Sequence, residues 1–264
     1  RRQRQMCIRD RKVTQLLGSL AALLLCLACG DNRIEKGPIK RSGQADVVSL
    51  DDDWRFIRYG LQADGTHVDE PAGMFEPATD DSDWETLNVP HDFAIKGPFR
   101  MDLAGNTGRL PFQGIGWYRK TFTVDEADQG KRFYVDFDGV MANAQVWLNG
   151  KYVGTWPYGY NSFRLDLTPF IQVGKENLLA VRTDTEKWDS RWYPGAGIYR
   201  HVWLVKAGQV HVRHWGTKME ATNLTDKTAD LHLTVEVENH LNEDAKAVVK
   251  TSVYELDSLS LIHI

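Results

Sequence analysis

Cysteine is nearly absent from this chain. Of 264 residues only Cys7, Cys26 and Cys29 are cysteine, so the body beyond residue 29 has no disulfide framework. An excess of basic charge is absent too. The formal charge is −4, and the first 28 residues hold six basic groups against one acidic group; removing that +5 leaves −9 (−4 − 5) from Cys29 onward. Such a body has no electrostatic footprint for nucleic acid and points to neutral or cationic partners. Nor is there an apolar run that would span a bilayer. The strongest one, Leu16–Ala28, has thirteen residues, against the ~20 that a membrane helix needs. After Val47 no stretch sustains a helical period over three turns, so the body is expected to be all-β.

What is present is a globular balance. Apolar residues are 42% and charged residues 26%, which excludes a disordered or collagen-like chain, and the length holds one large domain or two modest ones. The basic start followed by LLGSLAALLLCLA has the order of a secretory signal, placed at 13–28. Cys26-Leu27-Ala28-Cys29 resembles a bacterial lipobox, in which Cys29 is lipidated and becomes the mature N-terminus. That predicts an exported protein, in the periplasm or at the outer membrane, touching the membrane by its lipid anchor only; ordinary cleavage is the alternative. Residues 29–46 read as a polar tether. Residues 1–12 are read as an assembly artefact running into the start of the leader, and 259–264 (LSLIHI) as a second artefact.

The body reads as short strands separated by Gly, Pro, Asn and Asp. Trp117–Val124 is a strand of mixed alternation. Arg132–Asp138 alternates Phe133, Val135 and Phe137 against Tyr134 and Asp136, so one face is expected to be buried. Ala144–Gly154 is a hairpin, with Asn149-Gly150 supplying the positive φ angles of a type I′ turn. Further strands are predicted at 162–167, 177–183 and 199–205. This spacing predicts an all-β fold, a jelly-roll β-sandwich over 47–208. From Gln209 the texture changes. Val210–Val212, Asp230–Glu238 and Ala247–Leu256 read as the first strands of a truncated immunoglobulin-like β-sandwich, placed at 209–258, half the ~100 residues such a domain needs.

Four stretches in fixed order carry a resemblance: Asp83-Trp84-Glu85-Thr86-Leu87-Asn88-Val89-Pro90-His91-Asp92-Phe93, Gly116-Trp117-Tyr118-Arg119-Lys120-Thr121-Phe122, Asp138-Gly139-Val140 through Trp147-Leu148-Asn149-Gly150, and Ser190-Arg191-Trp192-Tyr193-Pro194-Gly195-Ala196-Gly197-Ile198-Tyr199-Arg200. Together they resemble the N-terminal sugar-binding domain of glycoside hydrolase family 2, over about Val47 to Lys206. The resemblance implies a retaining glycosidase whose two catalytic glutamates belong to a (β/α)₈ barrel that follows the immunoglobulin-like domain. No catalytic residue is therefore assigned in this chain, which is expected to be inactive alone.

What the resemblance does imply here is a wall of the sugar pocket. Asp92 matches the position whose polar side chain faces the non-reducing sugar, where a carboxylate accepts hydroxyl hydrogen bonds; the alternative is an Asx turn after Pro90. His91 is read as a supporting hydrogen-bond partner rather than an acid. Arg191, Trp192 and Tyr193 offer a cation, a stacking face and a phenol, or pack under their loop as core. Trp156–Tyr160 is a sugar platform or, preferentially, a packed loop. No cofactor is called for. The resemblance implies a metal ion in the barrel as an option for the complete protein, and where some members place a metal-binding aspartate near the last loop this chain has Arg191, so no metal site is assigned here. The partner is thus a β-linked oligosaccharide or galactoside, and the oligomeric state has no signature. The leading function is the N-terminal part of an exported β-galactosidase. A β-glucuronidase, a β-mannosidase or a stand-alone carbohydrate-binding lipoprotein without catalysis are the alternatives.

Overall fold

The computed structural model describes residues 45–103, 105, 108–187 and 195–251. Cys29 with its leader, and Arg191, Trp192 and Tyr193, lie outside the described residues.

Two antiparallel sheets face each other. With strands numbered in chain order, the smaller sheet runs β1 (Asp46–Ser49), β11 (Val202–Ala207), β6 (Arg132–Phe137), β9 (Phe163–Asp166). The larger runs β3 (His67–Val68), β2 (Trp54–Leu61), β5 (Ile115–Thr123), β10 (Glu176–Asp184), β7 (Ala144–Leu148), β8 (Lys151–Trp156), and β4 (Glu85–Leu87) also pairs with β2. From β5 to β11 the chain changes sheet at every connection except the β7–β8 hairpin, the weaving expected of a jelly roll. Among the described residues no helix is long and apolar enough to cross a membrane.

Strand periodicity places the core. Phe133, Val135 and Phe137 of β6 face Trp54 and Phe56 of β2, Tyr118 of β5, Val146 and Leu148 of β7 and Leu179 and Val181 of β10 in one buried cluster. Each fully buried apolar side chain of this size contributes about 1.5–3 kcal/mol. The mixed alternation of β5 has a structural cause. Its other face is covered as well, because Ile115 and Trp117 pack with Met74 and Trp84 from the β3–β4 connection. A sheet buried on both sides loses its alternation. Tyr134 departs from expectation for the same reason. It is only 7% exposed, because the Arg164 guanidinium lies 5.0 Å over its ring and His211 packs at 5.7 Å.

At the β7–β8 turn Asn149 and Gly150 have φ of 54° and 78°, the signs that a type I′ turn requires. The Asn149 side chain is used fully: Nδ2 donates to Asn177 Oδ1 at 2.9 Å and Oδ1 accepts from Leu178 N at 2.9 Å. The last two strands, β12 (Val210–Thr222) and β13 (Asp230–Asn239), form a separate antiparallel ribbon with a register shift between Val212 and Thr217. The strand expected at 247–256 is not formed in 247–251; the remainder of it lies outside the described residues.

Candidate functional site

The Pro-His-Asp-Phe turn is held by the segment that follows the Arg-Trp-Tyr-Pro run. His91 N donates to Ile198 O at 2.7 Å and Phe93 N to Ala196 O at 2.9 Å, while Gly197 exchanges hydrogen bonds of 2.7 and 2.9 Å with Met141. Three chain segments, 91–93, 195–198 and 141, thus form a small backbone-paired platform. None of them is a strand of either sheet, which is why the strand expected from Tyr199 begins only at Val202.

Asp92 clamps this platform. Its Oδ1 accepts from Ala94 N at 2.8 Å and from Ala196 N at 3.0 Å. The first bond is an Asx turn; the second crosses 104 residues of chain. Its other oxygen lies against Gly195, where a Cβ would sit 2.5 Å from Oδ2. Glycine is needed at 195 for this approach. Burial pushes the Asp92 carboxyl above its ordinary value, against the lowering by the N–H groups of Ala94, Ala196 and Ile95. Of the two sequence readings, the Asx turn is formed by Oδ1, while Oδ2 faces Gly195.

His91 lies beneath. Its Nδ1 is 2.8 Å from the Tyr118 phenol, and Phe56 meets its ring edge-on at 4.7 Å. Burial lowers its pKa to about 4, so at neutral pH the ring carries one proton. Placing that proton on Nε2, with the Tyr118 hydroxyl donating to Nδ1, leaves one donor unpaired. The opposite tautomer would strand both the phenol proton and the Nε2 lone pair. At neutral pH His91 is thus an uncharged ring hydrogen-bonded to the Tyr118 phenol.

A depressed histidine pKa has a defined sign. The stability it contributes is complete above about pH 6.5 and is lost as pH falls towards about 4, because the unfolded chain takes up the proton first. Discounted for the ring's partial exposure, the effect is about 1–2 kcal/mol. Denaturant midpoints above and below this window measure it. His91→Phe should lose less stability on acidification than the unaltered chain, and an equal loss would contradict the assignment. The comparison needs the variant because His211 and His214 are also lowered by burial.

Tyr118, Ala196 and Ile198 belong to this platform without having been singled out by sequence reasoning, although each lies within one of the four motifs. Trp156 stacks on Phe163 at 5.4 Å, as a packed loop requires, whereas Tyr158 is exposed. A cleft of about 480 Å³ opens elsewhere, lined by Asp53, Arg55, Asp81, Arg119 and Glu176 among others, and includes neither His91 nor Asp92. There Asp81 pairs with Arg119 at 2.9 Å, so it reads as a solvated ion-pair surface.

Residues 47–208 match the family model described as the sugar binding domain of glycosyl hydrolases family 2. The chain belongs to glycosyl hydrolase family 2. It is 44% identical over 209 residues to the β-galactosidase BoGH2A of Bacteroides ovatus, an alignment covering 78% of this chain and 23% of that protein. It is 47% identical over 136 residues to a putative β-glucuronidase of Formosa agariphila, covering 51% and 13%. Among solved structures, a family 2 member from Bacteroides cellulosilyticus superposes with a TM-score of 0.64 at 37% identity, over 72% of this chain and 24% of that one. A β-glycosidase from Bacteroides vulgatus gives 0.66 at 34% identity, over 75% and 25%. The chain thus spans about a quarter of the length of these relatives, less for the shorter Formosa agariphila alignment. In family 2 terms the platform lies inside the sugar-binding domain.

Proposed function

We propose that this chain is the N-terminal part of a retaining β-galactosidase, and that the 91–93 and 195–198 platform is a wall of its sugar pocket. The observation that carries the reading is the division of labour in Asp92. One carboxylate oxygen is fixed by two backbone N–H groups, which holds the other in place against Gly195. A rigid carboxylate oxygen accepts hydroxyl hydrogen bonds from a neutral sugar and repels the carboxylate of a glucuronide. Identity to a named β-galactosidase over most of the chain supports the same substrate; identity to a putative β-glucuronidase over a shorter stretch supports the second reading. The catalytic carboxylate pair is assigned to the barrel, so this chain binds and shapes but does not cleave. The reading also holds the protein at a bacterial envelope through a lipid on Cys29.

The test is paired turnover of aryl β-galactoside and aryl β-glucuronide, by the protein of the complete locus and by this chain alone. The expected result is galactoside hydrolysis with retention by the first and none by the second. Asp92→Asn, which keeps the Oδ1 acceptor but replaces Oδ2 with a donor, should weaken galactoside KM by about tenfold, the worth of one charge-assisted hydrogen bond. Preference for the glucuronide would transfer the assignment to the second reading. Turnover by this chain alone would end the barrel assignment.

A further inference from the structure

The open end of the β12–β13 ribbon brings three metal-ligating side chains to one point. His211 on β12 is the register partner of Glu238 on β13, and His240 follows β13 with its N–H bonded to Gln209 O at 2.9 Å. The two imidazoles stack with centroids 5.4 Å apart and planes 13° from parallel. His211 Nε2 lies 3.6 Å and His240 Nε2 3.3 Å from the same oxygen, Glu238 Oε2. All three ligand atoms fall within 4.8 Å of one another.

The Glu238 carboxylate already has the Arg213 guanidinium 3.5 Å from Oε1, and the protons leave a place for a metal ion at Oε2. His211 Nδ1 is 2.8 Å from the Gly208 carbonyl, which only accepts, so Nδ1 carries the ring proton. Nε2 then presents a lone pair towards a carboxylate oxygen. The Tyr134 hydroxyl approaches it as well, but at a long 3.3 Å. A histidine whose Nδ1–H is fixed by a backbone carbonyl keeps its lone pair on Nε2, the form in which it binds a metal, and here a metal would take the place of the long Tyr134 hydroxyl contact. The spacing agrees. Donors on a tetrahedral zinc ion, bonded at 2.0–2.2 Å, stand about 3.4 Å apart, close to the two separations measured to Glu238 Oε2. Two imidazoles and one carboxylate suit zinc and its first-row neighbours rather than calcium or magnesium.

We propose that His211, Glu238 and His240 form a zinc-class metal site, with water at the fourth position, that fastens the open end of the ribbon. The His211 ring also packs on the Tyr134 ring, on the outer face of the smaller sheet, so the site ties ribbon and sandwich together.

The test is calorimetric titration of the metal-stripped 264-residue chain with zinc, its three thiols alkylated so that they cannot bind the ion. One site per chain is expected, with no comparable binding of magnesium. His240→Ala and Glu238→Gln should each weaken it by at least the roughly 10–100-fold that loss of an outer-shell partner costs. His232→Ala, an imidazole elsewhere on the ribbon, should leave it unchanged. His211→Ala risks the packing against Tyr134, so the substitutions at Glu238 and His240 are the decisive ones. Unaltered zinc affinity in both, or no binding by the intact chain, would overturn the proposal.

Discussion

Gly197→Ala is expected to cost roughly 2–5 kcal/mol of stability, the sum of backbone strain and overpacking. Gly197 has φ of +115°, a region that side-chain-bearing residues rarely enter. A Cβ there would lie 2.2 Å from the Tyr118 hydroxyl and 2.9 Å from the His91 carbonyl oxygen. Neither neighbour can yield easily. The phenol is buried in the core and bonded to His91, and the His91 backbone is paired to Ile198. Gly197 is itself locked to Met141 by two hydrogen bonds. Urea unfolding measures the loss, and a Tyr118→Phe background should restore only part of it, since the φ strain and the carbonyl contact remain. A change within about 0.5 kcal/mol, the range of an ordinary surface substitution, would show that the platform is not packed as described.

Asp92→Ala is the second large effect. It removes the acceptor of two backbone N–H groups, those of Ala94 and Ala196, both in buried residues. An unmatched buried donor and a lost charged hydrogen bond together cost about 2–3 kcal/mol. Asp92→Asn keeps Oδ1 and should cost under about 1 kcal/mol. The pH dependence separates the two residues of the motif. Burial raises the Asp92 pKa, so its contribution is complete below the unfolded value and declines as pH rises through the folded one. Asp92 therefore resists acid unfolding while His91 drives it. Denaturation curves of Asp92→Asn across pH 3 to 7 should show the variant gaining on the unaltered chain towards neutrality; a constant difference would rule out burial as the cause of the shift.

These expectations draw unequally on sequence and structure. The β7–β8 hairpin and the inward face of β6 were legible because period-two alternation and an Asn-Gly turn are local signals. β5 was legible as a strand but not as a strand buried on both faces, since its second cover comes from the β3–β4 connection. Tyr134 looked like the open face of β6 for the same reason: Arg164 and His211, which cover it, are distant in the chain.

By itself, the sequence determined the all-β class, the order of motifs that marks family 2, and Asp92 and His91 as residues of interest. These depend on neighbours in the chain or on motif order, which a linear reading retains. Only the tertiary structure decided what each polar atom does. That Asp92 spends one oxygen on Ala196, that His91 takes its proton relationship from Tyr118, and that His211 meets Glu238 and His240 are consequences of sheet pairing across long loops. Hydrogen bonds and metal geometry act over about 3 Å, and no local pattern encodes which distant residues will come that close.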